Sequence, residues 1–174
     1  MKKSSAEPRI VRATKKDVPL IHEFILELAE YERALPGEAS VTQHDLTETL
    51  FGKQPAAEVL IAYLDDTPGG FALFFHNYST WLGKRGIYLE DLFVRPAARK
   101  HGVGFALLRA LAQIALERDC GRVDWAVLNW NELAIDFYKR IGAKAMDEWT
   151  TFRLTGDSLK RLALEENELQ KNES

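Results

Sequence analysis

The sequence lacks the features that mark secreted, membrane-spanning and disulfide-linked proteins. Cys120 is the single cysteine among 174 residues, so no internal disulfide can form. No apolar run approaches the roughly 20 residues that cross a bilayer, and the N-terminus has no apolar segment typical of a signal peptide. We therefore predict a cytoplasmic protein that has no membrane partner.

Charge of neither sign dominates the chain. The sequence has 23 Lys and Arg against 26 Asp and Glu, a net charge of −3. Proteins that wrap nucleic acid are usually basic over a whole face, so we predict no nucleic-acid partner. The histidines lack the spacing of metal ligands and form no cluster with the cysteine, so we predict no metal site. They are His22, His44, His76 and His101.

The chain does contain an alternation of apolar-periodic segments. Period-two patterning predicts strands over residues 9–14, 58–64, 71–78, 86–94, 122–128 and 150–155. Helical spacing and caps predict helices after Asp17 to about Arg33, over 42–51, from Gly102 to near Gly121, from Asn131 to Gly142, and from Lys160. This order predicts an α/β (α+β) fold, a mixed sheet with helices on both faces. We expect one domain over about 9–164, with flexible tails at 1–8 and 166–174.

A glycine turn precedes the third predicted helix. Gly102 and Gly104 stand where a basic loop, Arg95 to His101, meets the start of that helix. Free N–H groups at a helix N-terminus attract anions, and missing side chains let phosphate oxygens approach. The spacing therefore favours a phosphate site about as strongly as it favours a plain solvated turn.

Three phosphate-binding motifs compete for this turn. The P-loop pattern G-x-x-x-x-G-K-[ST] has no match. The dinucleotide pattern G-x-G-x-x-G places Leu107 where its third glycine should stand, although Asp124 follows Gly104 by 20 residues as a ribose acceptor would. The third pattern is R-x-x-G-x-G, which runs from Arg99 to Gly104 between a predicted strand and a predicted helix.

Acidic residues interrupt two apolar segments. Glu90 and Asp91 lie inside a predicted strand, where strict alternation would point them to opposite faces and prevent a paired-carboxylate site. Burial would raise the pKa of either one, which suits a general base near neutral pH, although salt-bridged structural acids have the same pattern. Glu32 borders the apolar stripe of the first predicted helix, so it differs from the solvated acids of that helix.

Four segments together resemble one family. "ELAEYE", "YLEDLFV", "RKHGVG" and "NWNELAIDFYKRIGA" are similar in order and spacing to the GNAT acetyltransferase superfamily, and within it to the diamine (spermidine/spermine) and thialysine N-acetyltransferases. The resemblance covers about residues 9–164. It implies a mostly antiparallel GNAT-type sheet with helices on both faces. It also implies that acetyl-CoA donates an acetyl group to an amine by direct attack in a ternary complex.

The resemblance also implies roles for individual residues. Glu90 would be the general base and Tyr138 the general acid, because an attacking amine must lose a proton and a departing thiolate benefits from gaining one. The strand at 92–94 would splay from its neighbour, often with a bulge, so that its backbone pairs with the coenzyme. The implied coenzyme contacts are Leu92, Phe93, Val94, Arg99, Lys100, His101, Gly102, Val103, Gly104, Phe105, Asn131 and Tyr138.

The amine pocket is implied in the same way. Its candidates are Tyr31, Glu32, Glu90, Asp91, Asp124, Trp125 and Trp149. The chain departs from the diamine enzymes at Glu23 and Glu30, where they carry basic residues, so a polyamine, a diamine, a lysine-like amine and a protein amine all stay open. A homodimer is implied by the family. A catalytically silent CoA-binding module on the same fold is the alternative to an enzyme.

Overall fold

The computed structural model describes residues 7–164. Apart from Glu7 and Pro8, the predicted tails lie outside these residues. The chain divides into two compact units between Trp130 and Asn131. The expectation of one domain stays a prediction.

A mixed sheet forms the centre of the first unit. Within the described range, its strands are β1 (Arg9–Arg12), β2 (Glu58–Leu64), β3 (Thr67–Ser79), β4 (Lys84–Val94) and β5 (Val123–Trp125), and they neighbour one another in that order. The first three pairings are antiparallel, whereas β4 and β5 run parallel. The sheet is therefore mostly antiparallel, which confirms the predicted class.

The β2–β3 hairpin is tighter than the sequence predicts. Asp65 and Asp66 have φ angles of +48° and +63°, the left-handed pair that a two-residue hairpin turn requires. Strand β3 therefore begins already at Thr67. Gly70 must be glycine, because a Cβ there would lie 2.4 Å from the carbonyl oxygen of Phe93 on β4.

Helices cover both faces of this sheet. On one face α1 (Val18–Tyr31) and α2 (Gln43–Phe51) pack over β2 and β3, around Phe24 and Phe71, whose rings stack with centroids 5.2 Å apart. On the other face α3 (Val103–Glu117) buries the stripe that includes Leu107 and Leu111. The helix placement predicted from the sequence is therefore confirmed for this unit.

An arginine ties α1 to the segment after β4. The Arg95 guanidinium donates to both carboxylate oxygens of Glu27 and to Glu23, and lies 4.5 Å above the Phe24 ring. Hydrogen bonding to Glu27 raises the pKa of Arg95. This clamp holds α1 close to the strand end that leads into the glycine turn.

Two of these helices end in the same left-handed cap, and neither uses glycine. After α1, Arg33 has φ +63° and donates to Glu30, while Ala34 donates to Ala29. After α3, Asp119 takes this position with φ +52°. The prediction that Gly121 ends α3 is therefore wrong. Gly121 is instead small because a Cβ there would lie 2.8 Å from Leu82 Cδ1.

The second unit contains two helices among its described residues, α4 (Glu132–Arg140) and α5 (Gly156–Leu164). The Asn131 side chain caps α4, and Gly142 ends it with φ +89°, both as predicted. The predicted strand over 150–155 is wrong: those residues are irregular up to Gly156. An alternating segment becomes a strand only where another strand pairs with it. Within residues 7–164, no helix is long and apolar enough to cross a membrane.

Candidate active site

Strand β4 carries a bulge at Glu90. Leu89 pairs with Phe74 and Asp91 pairs with Leu73, so Glu90 is the additional residue between two consecutive pairs. One additional residue moves each following side chain of β4 to the face opposite the one that strict alternation predicts. The prediction that Glu90 and Asp91 simply alternate across the sheet is therefore wrong.

The bulge coincides with the end of the parallel ladder. β4 pairs with β5 from Ile87 to Leu89, and β5 ends at Trp125, shorter than the predicted strand over 122–128. In the described structure, residues 90–94 have no β5 partner on that edge. The N–H and C=O groups of these residues that point away from β3 are therefore not paired with β5, as expected for a strand that splays from its neighbour.

The inverted alternation places Asp91 on the face covered by α1. Asp91 is two residues before Phe93, which is buried against α1 and α2. Burial, and then the charges of Glu90 and Glu32, raise the pKa of Asp91 to about 6. Desolvation also raises the pKa of Glu32, which caps α1 and still reaches solvent. Glu32, Glu90 and Asp91 thus form one electrostatic cluster, here called the acid cluster.

Aromatic rings border the acid cluster. The Tyr31 ring lies 6.4 Å from Phe93 and 5.9 Å from Trp130, measured between ring centroids. The Arg99 guanidinium lies 4.7 Å above the centre of the same Tyr31 ring. The first two predicted substrate residues, Tyr31 and Glu32, therefore do lie on the same face as Asp91.

The predicted phosphate turn has the geometry of an open helix N-terminus. Lys100 and Gly102 have φ angles of +65° and +78°, and α3 begins at Val103 without a side-chain cap. A Cβ at Gly102 would meet nothing within 4 Å, and one at Gly104 would meet only Val94 Cγ2, at 3.7 Å. The first N–H groups of α3 therefore face unobstructed space.

Two basic residues of this loop have partners within the protein. Arg99 Nε donates to the Val94 carbonyl oxygen at 3.0 Å, and Arg95 is held by the carboxylates of α1. Lys100 and His101 are exposed. The side chains of Phe93 and Val103 are buried, so only their backbone groups could contact a coenzyme.

The predicted acid on β5 is already neutralised. Asp124 Oδ2 accepts from Arg122 Nε at 2.7 Å and from Asn77 Nδ2 at 2.9 Å. Trp125 is partly buried at the end of the same strand. These contacts argue against Asp124 as an amine ligand, and its role stays a prediction.

The remaining predicted residues belong to the second unit. Tyr138 lies in α4, half-buried, with its ring 5.6 Å from that of Phe137. Asn131 Oδ1 accepts from the Ala134 amide at the start of this helix. Trp149 is exposed in a loop. Their predicted roles stay predictions.

The comparison with known proteins decides the family. The pattern of the Acetyltransferase (GNAT) family matches residues 24–143. The chain belongs to the GNAT acetyltransferase family. It is an N-acetyltransferase, which confirms the resemblance shown by the four sequence segments and removes the dinucleotide alternative.

Individual relatives agree with this assignment. The thialysine N-epsilon-acetyltransferase of Bos taurus is 36% identical over 165 residues, or 88% of this chain and 96% of that protein. An L-ornithine N5-acetyltransferase of Arabidopsis thaliana is 34% identical over 88% of this chain and 87% of its own length. Among solved structures, the integron cassette protein VCH_CASS6 from the mobile metagenome of V. cholerae has a TM-score of 0.76 and 31% identity, over 92% of this chain and 100% of that one.

Two residues near the acid cluster were not predicted from the sequence. Trp130 packs on Tyr31, and Arg33 lies 4.6 Å above the Trp130 ring. The only sequence signal for Trp130 was its position between two asparagines in a loop, and no sequence signal pointed to Arg33.

Among residues 7–164, no group of three or more His, Cys, Asp or Glu side chains could hold a metal ion.

Proposed function

We propose that this GNAT enzyme transfers an acetyl group from acetyl-CoA to a primary amine of a small cationic substrate, by direct attack in a ternary complex. The observation that carries the proposal is the position of the acid cluster. It lies where β4 bulges and separates from β5, so exposed backbone groups and carboxylates occur in one place. The relatives named for thialysine and ornithine acetylation support a small amine.

The turn before α3 fits a diphosphate. Its N–H groups at Val103, Gly104 and Phe105 start a helix that no side chain caps, and the exposed Lys100 adds positive charge beside His101. Leu92 to Val94 offer backbone groups for the pantetheine, and Asn131 is a further predicted contact. When bound, acetyl-CoA supplies the activated acetyl thioester.

The acid cluster fits an alkylammonium group. A carboxylate within a few ångströms favours a cation, and the Tyr31 ring adds a face that attracts one. Glu32 and Glu90 are the exposed members, so we assign them to holding the amine. Trp149, Trp125 and Asp124 stay weaker candidates for this pocket.

Asp91 is the member best suited to accept the proton. An alkylamine with a pKa near that of lysine, about 10.4, is not nucleophilic while it is charged. A carboxyl group whose pKa is about 6 is ionised at neutral pH and is a stronger base than an ordinary aspartate. We therefore assign the general base to Asp91, and not to Glu90 as the resemblance implied.

Two other steps use groups of the chain. N–H groups of the splayed end of β4 would stabilise the developing oxyanion, because fixed donors need no reorganisation. Tyr138 would protonate the departing thiolate, since a phenol is a proton donor at neutral pH. Both assignments follow from the family resemblance.

The test is a transfer assay that follows free thiol. The protein is incubated with acetyl-CoA and, separately, with diamines, polyamines, L-ornithine, lysine analogues and a lysine-containing peptide. Amine-dependent thiol release is expected for at least one small amine. Binding of CoA without release for any amine would favour the silent CoA-binding module, and release for the peptide alone would favour a protein amine.

The turn can be tested with Gly104→Ala. Alanine fits the space at this helical position and should raise the free energy of unfolding by about 0.5–1 kcal/mol, because Gly destabilises a helix. The added methyl group should nevertheless raise the KM for acetyl-CoA roughly tenfold, equivalent to about 1.4 kcal/mol of lost binding. Chemical denaturation and steady-state kinetics measure the two effects.

The control for this variant is Gly83→Ala, at a glycine before β4 that also has open space around its Cβ position. Its φ of +62° disfavours alanine, so stability should fall while the KM for acetyl-CoA stays unchanged. An unchanged KM for Gly104→Ala would contradict the assignment of the turn. The homodimer and the cytoplasmic location also stay predictions.

A further inference from the structure

Arg33 is a cation beside the acid cluster that makes no ion pair. It directly follows Glu32, yet within residues 7–164 no carboxylate lies within salt-bridge distance of its guanidinium. Its contact is instead with Trp130, whose ring centre is 4.6 Å away. Stacking uses the flat face of a guanidinium and leaves its N–H edge available.

The position of Arg33 is set by the backbone. Its φ of +63° is the left-handed region that favours glycine, and the bonds from Arg33 to Glu30 and from Ala34 to Ala29 hold it there. A bulky residue persists in this region when its surroundings hold it. The left-handed turn directs the chain out of α1 at the point where Tyr31 and Glu32 meet the site.

The rings connect Arg33 to the acid cluster. Trp130 lies against Tyr31, and Tyr31 lies against Phe93, two residues from Asp91 on the same face of β4. Arg33 thus stands at one end of an aromatic series whose other end is acidic. A ligand along this series meets carboxylates at one end and the Arg33 guanidinium at the other. The Arg99 guanidinium above Tyr31 differs, because its Nε donates to the Val94 carbonyl oxygen.

Such a site discriminates between two classes of amine. A diamine or polyamine has a second cation, which Arg33 would repel. An α-amino acid with a terminal amine carries a carboxylate, and a guanidinium binds a carboxylate with two parallel hydrogen bonds.

We propose that Arg33 is a specificity-determining residue that binds the carboxylate of an amino-acid substrate whose terminal amine lies in the acid cluster. The proposal rests on the proposed function and narrows its substrate class. Arg33 acts on substrate choice and takes no part in the chemical step.

The test compares amines that differ only by a carboxylate. L-Ornithine is matched with putrescine and L-lysine with cadaverine, and kcat/KM is measured for wild type and Arg33→Gln. Wild type should prefer the amino acid of at least one pair. Arg33→Gln should lower kcat/KM for that amino acid about 10- to 100-fold, mainly through KM, as expected for loss of a charge-assisted pair. The matched diamine should be unaffected or improved, and Arg33→Lys should restore part of the loss.

Arg9→Gln is the matched control. Arg9 also stacks on an aromatic ring, that of Tyr63 at 4.7 Å, and lies on β1 away from the acid cluster. The Arg9→Gln variant should leave kcat/KM unchanged for both substrates of each pair. If Arg33→Gln does not fold, Arg33→Gly provides the same comparison, because its backbone conformation favours glycine.

The outcomes separate this inference from the proposed function. Two results overturn the role of Arg33 and leave the proposed function intact. In the first, the wild type acetylates the diamines as well as the amino acids. In the second, Arg33→Gln lowers kcat/KM equally for the amino acid and its matched diamine. Wild type that releases no thiol with any amine overturns the proposed function, and the inference with it.

Discussion

The Asp91→Asn variant is expected to lose about 10²- to 10³-fold in kcat/KM for the amine, the range of a general base. Asparagine has nearly the same shape as aspartate but cannot accept a proton. The coenzyme KM should change little, because the turn before α3 is not altered. Steady-state kinetics at pH 8 measures the loss.

The pH profile identifies the base more directly. Asp91 has a pKa of about 6, so below that pH it is protonated and cannot accept the amine proton. Wild-type kcat/KM should therefore rise with pH up to about 6 through this group, in addition to the rise that titration of the amine causes. Asp91→Asn should lack the limb near pH 6. A limb that persists in the variant would belong to another group.

The same variant should be more stable than wild type at pH 8. Folding raises the pKa of Asp91 from its ordinary value of 3.8 to about 6. The folded protein is therefore most stable below pH 3.8, where this carboxyl group is protonated, and it loses that stability as the pH rises through about 6. At pH 8 the ionised carboxylate costs about 3 kcal/mol, which asparagine avoids. At pH 3.5 the difference should be close to zero. Urea unfolding at both values measures it.

Glu90→Gln is the matched control for Asp91→Asn. Glu90 is exposed and neighbours Asp91, so its loss removes a negative charge that raises the pKa of Asp91. The pH limb should move to lower pH in this variant, and the amine KM should rise. If Glu90→Gln instead abolished the limb, Glu90 would be the base, as the family resemblance implied.

The Tyr138→Phe variant is expected to lower kcat about 10²-fold, with smaller changes in both KM values. Phenylalanine keeps the ring on α4 but cannot donate a proton to the thiolate. A loss confined to kcat indicates an interaction made in the transition state. Thiol release at saturating acetyl-CoA and amine measures the effect.

Tyr63→Phe is the control for this change. Tyr63 lies on β2 under the Arg9 guanidinium, and its hydroxyl has no assigned role in catalysis. It should retain normal kcat. Near-normal turnover in Tyr138→Phe would remove Tyr138 from the role of general acid.

Local signals in the sequence were sufficient for much of the fold. The bounds of β2, the caps at Asn131 and Gly142 and the glycine turn before α3 were all predicted correctly. Each depends on interactions between residues close together in the chain, such as a side chain capping its own helix or a period-two apolar pattern. The family followed from the joint order of four such segments.

Other features depend on contacts between distant segments. The family resemblance implied that this strand often bulges, but nothing near Glu90 shows that β3 pairs around this residue. The position of the bulge decides that Asp91 faces α1. The segment over 150–155 alternates as a strand should but is irregular in the described structure. Pairing partners come from elsewhere in the chain, so strand length and register cannot be read locally.

By itself, the sequence therefore determined the family, the class of fold and the position of the glycine turn before α3. Only the tertiary structure decided which acids have a raised pKa, that Asp124 is neutralised by Arg122, and that Arg33 stacks on Trp130 without an ion pair to any residue from 7 to 164. Burial and charge depend on which segments meet across the sheet. A short motif specifies the residues at a site, whereas the fold sets the charge around each of them.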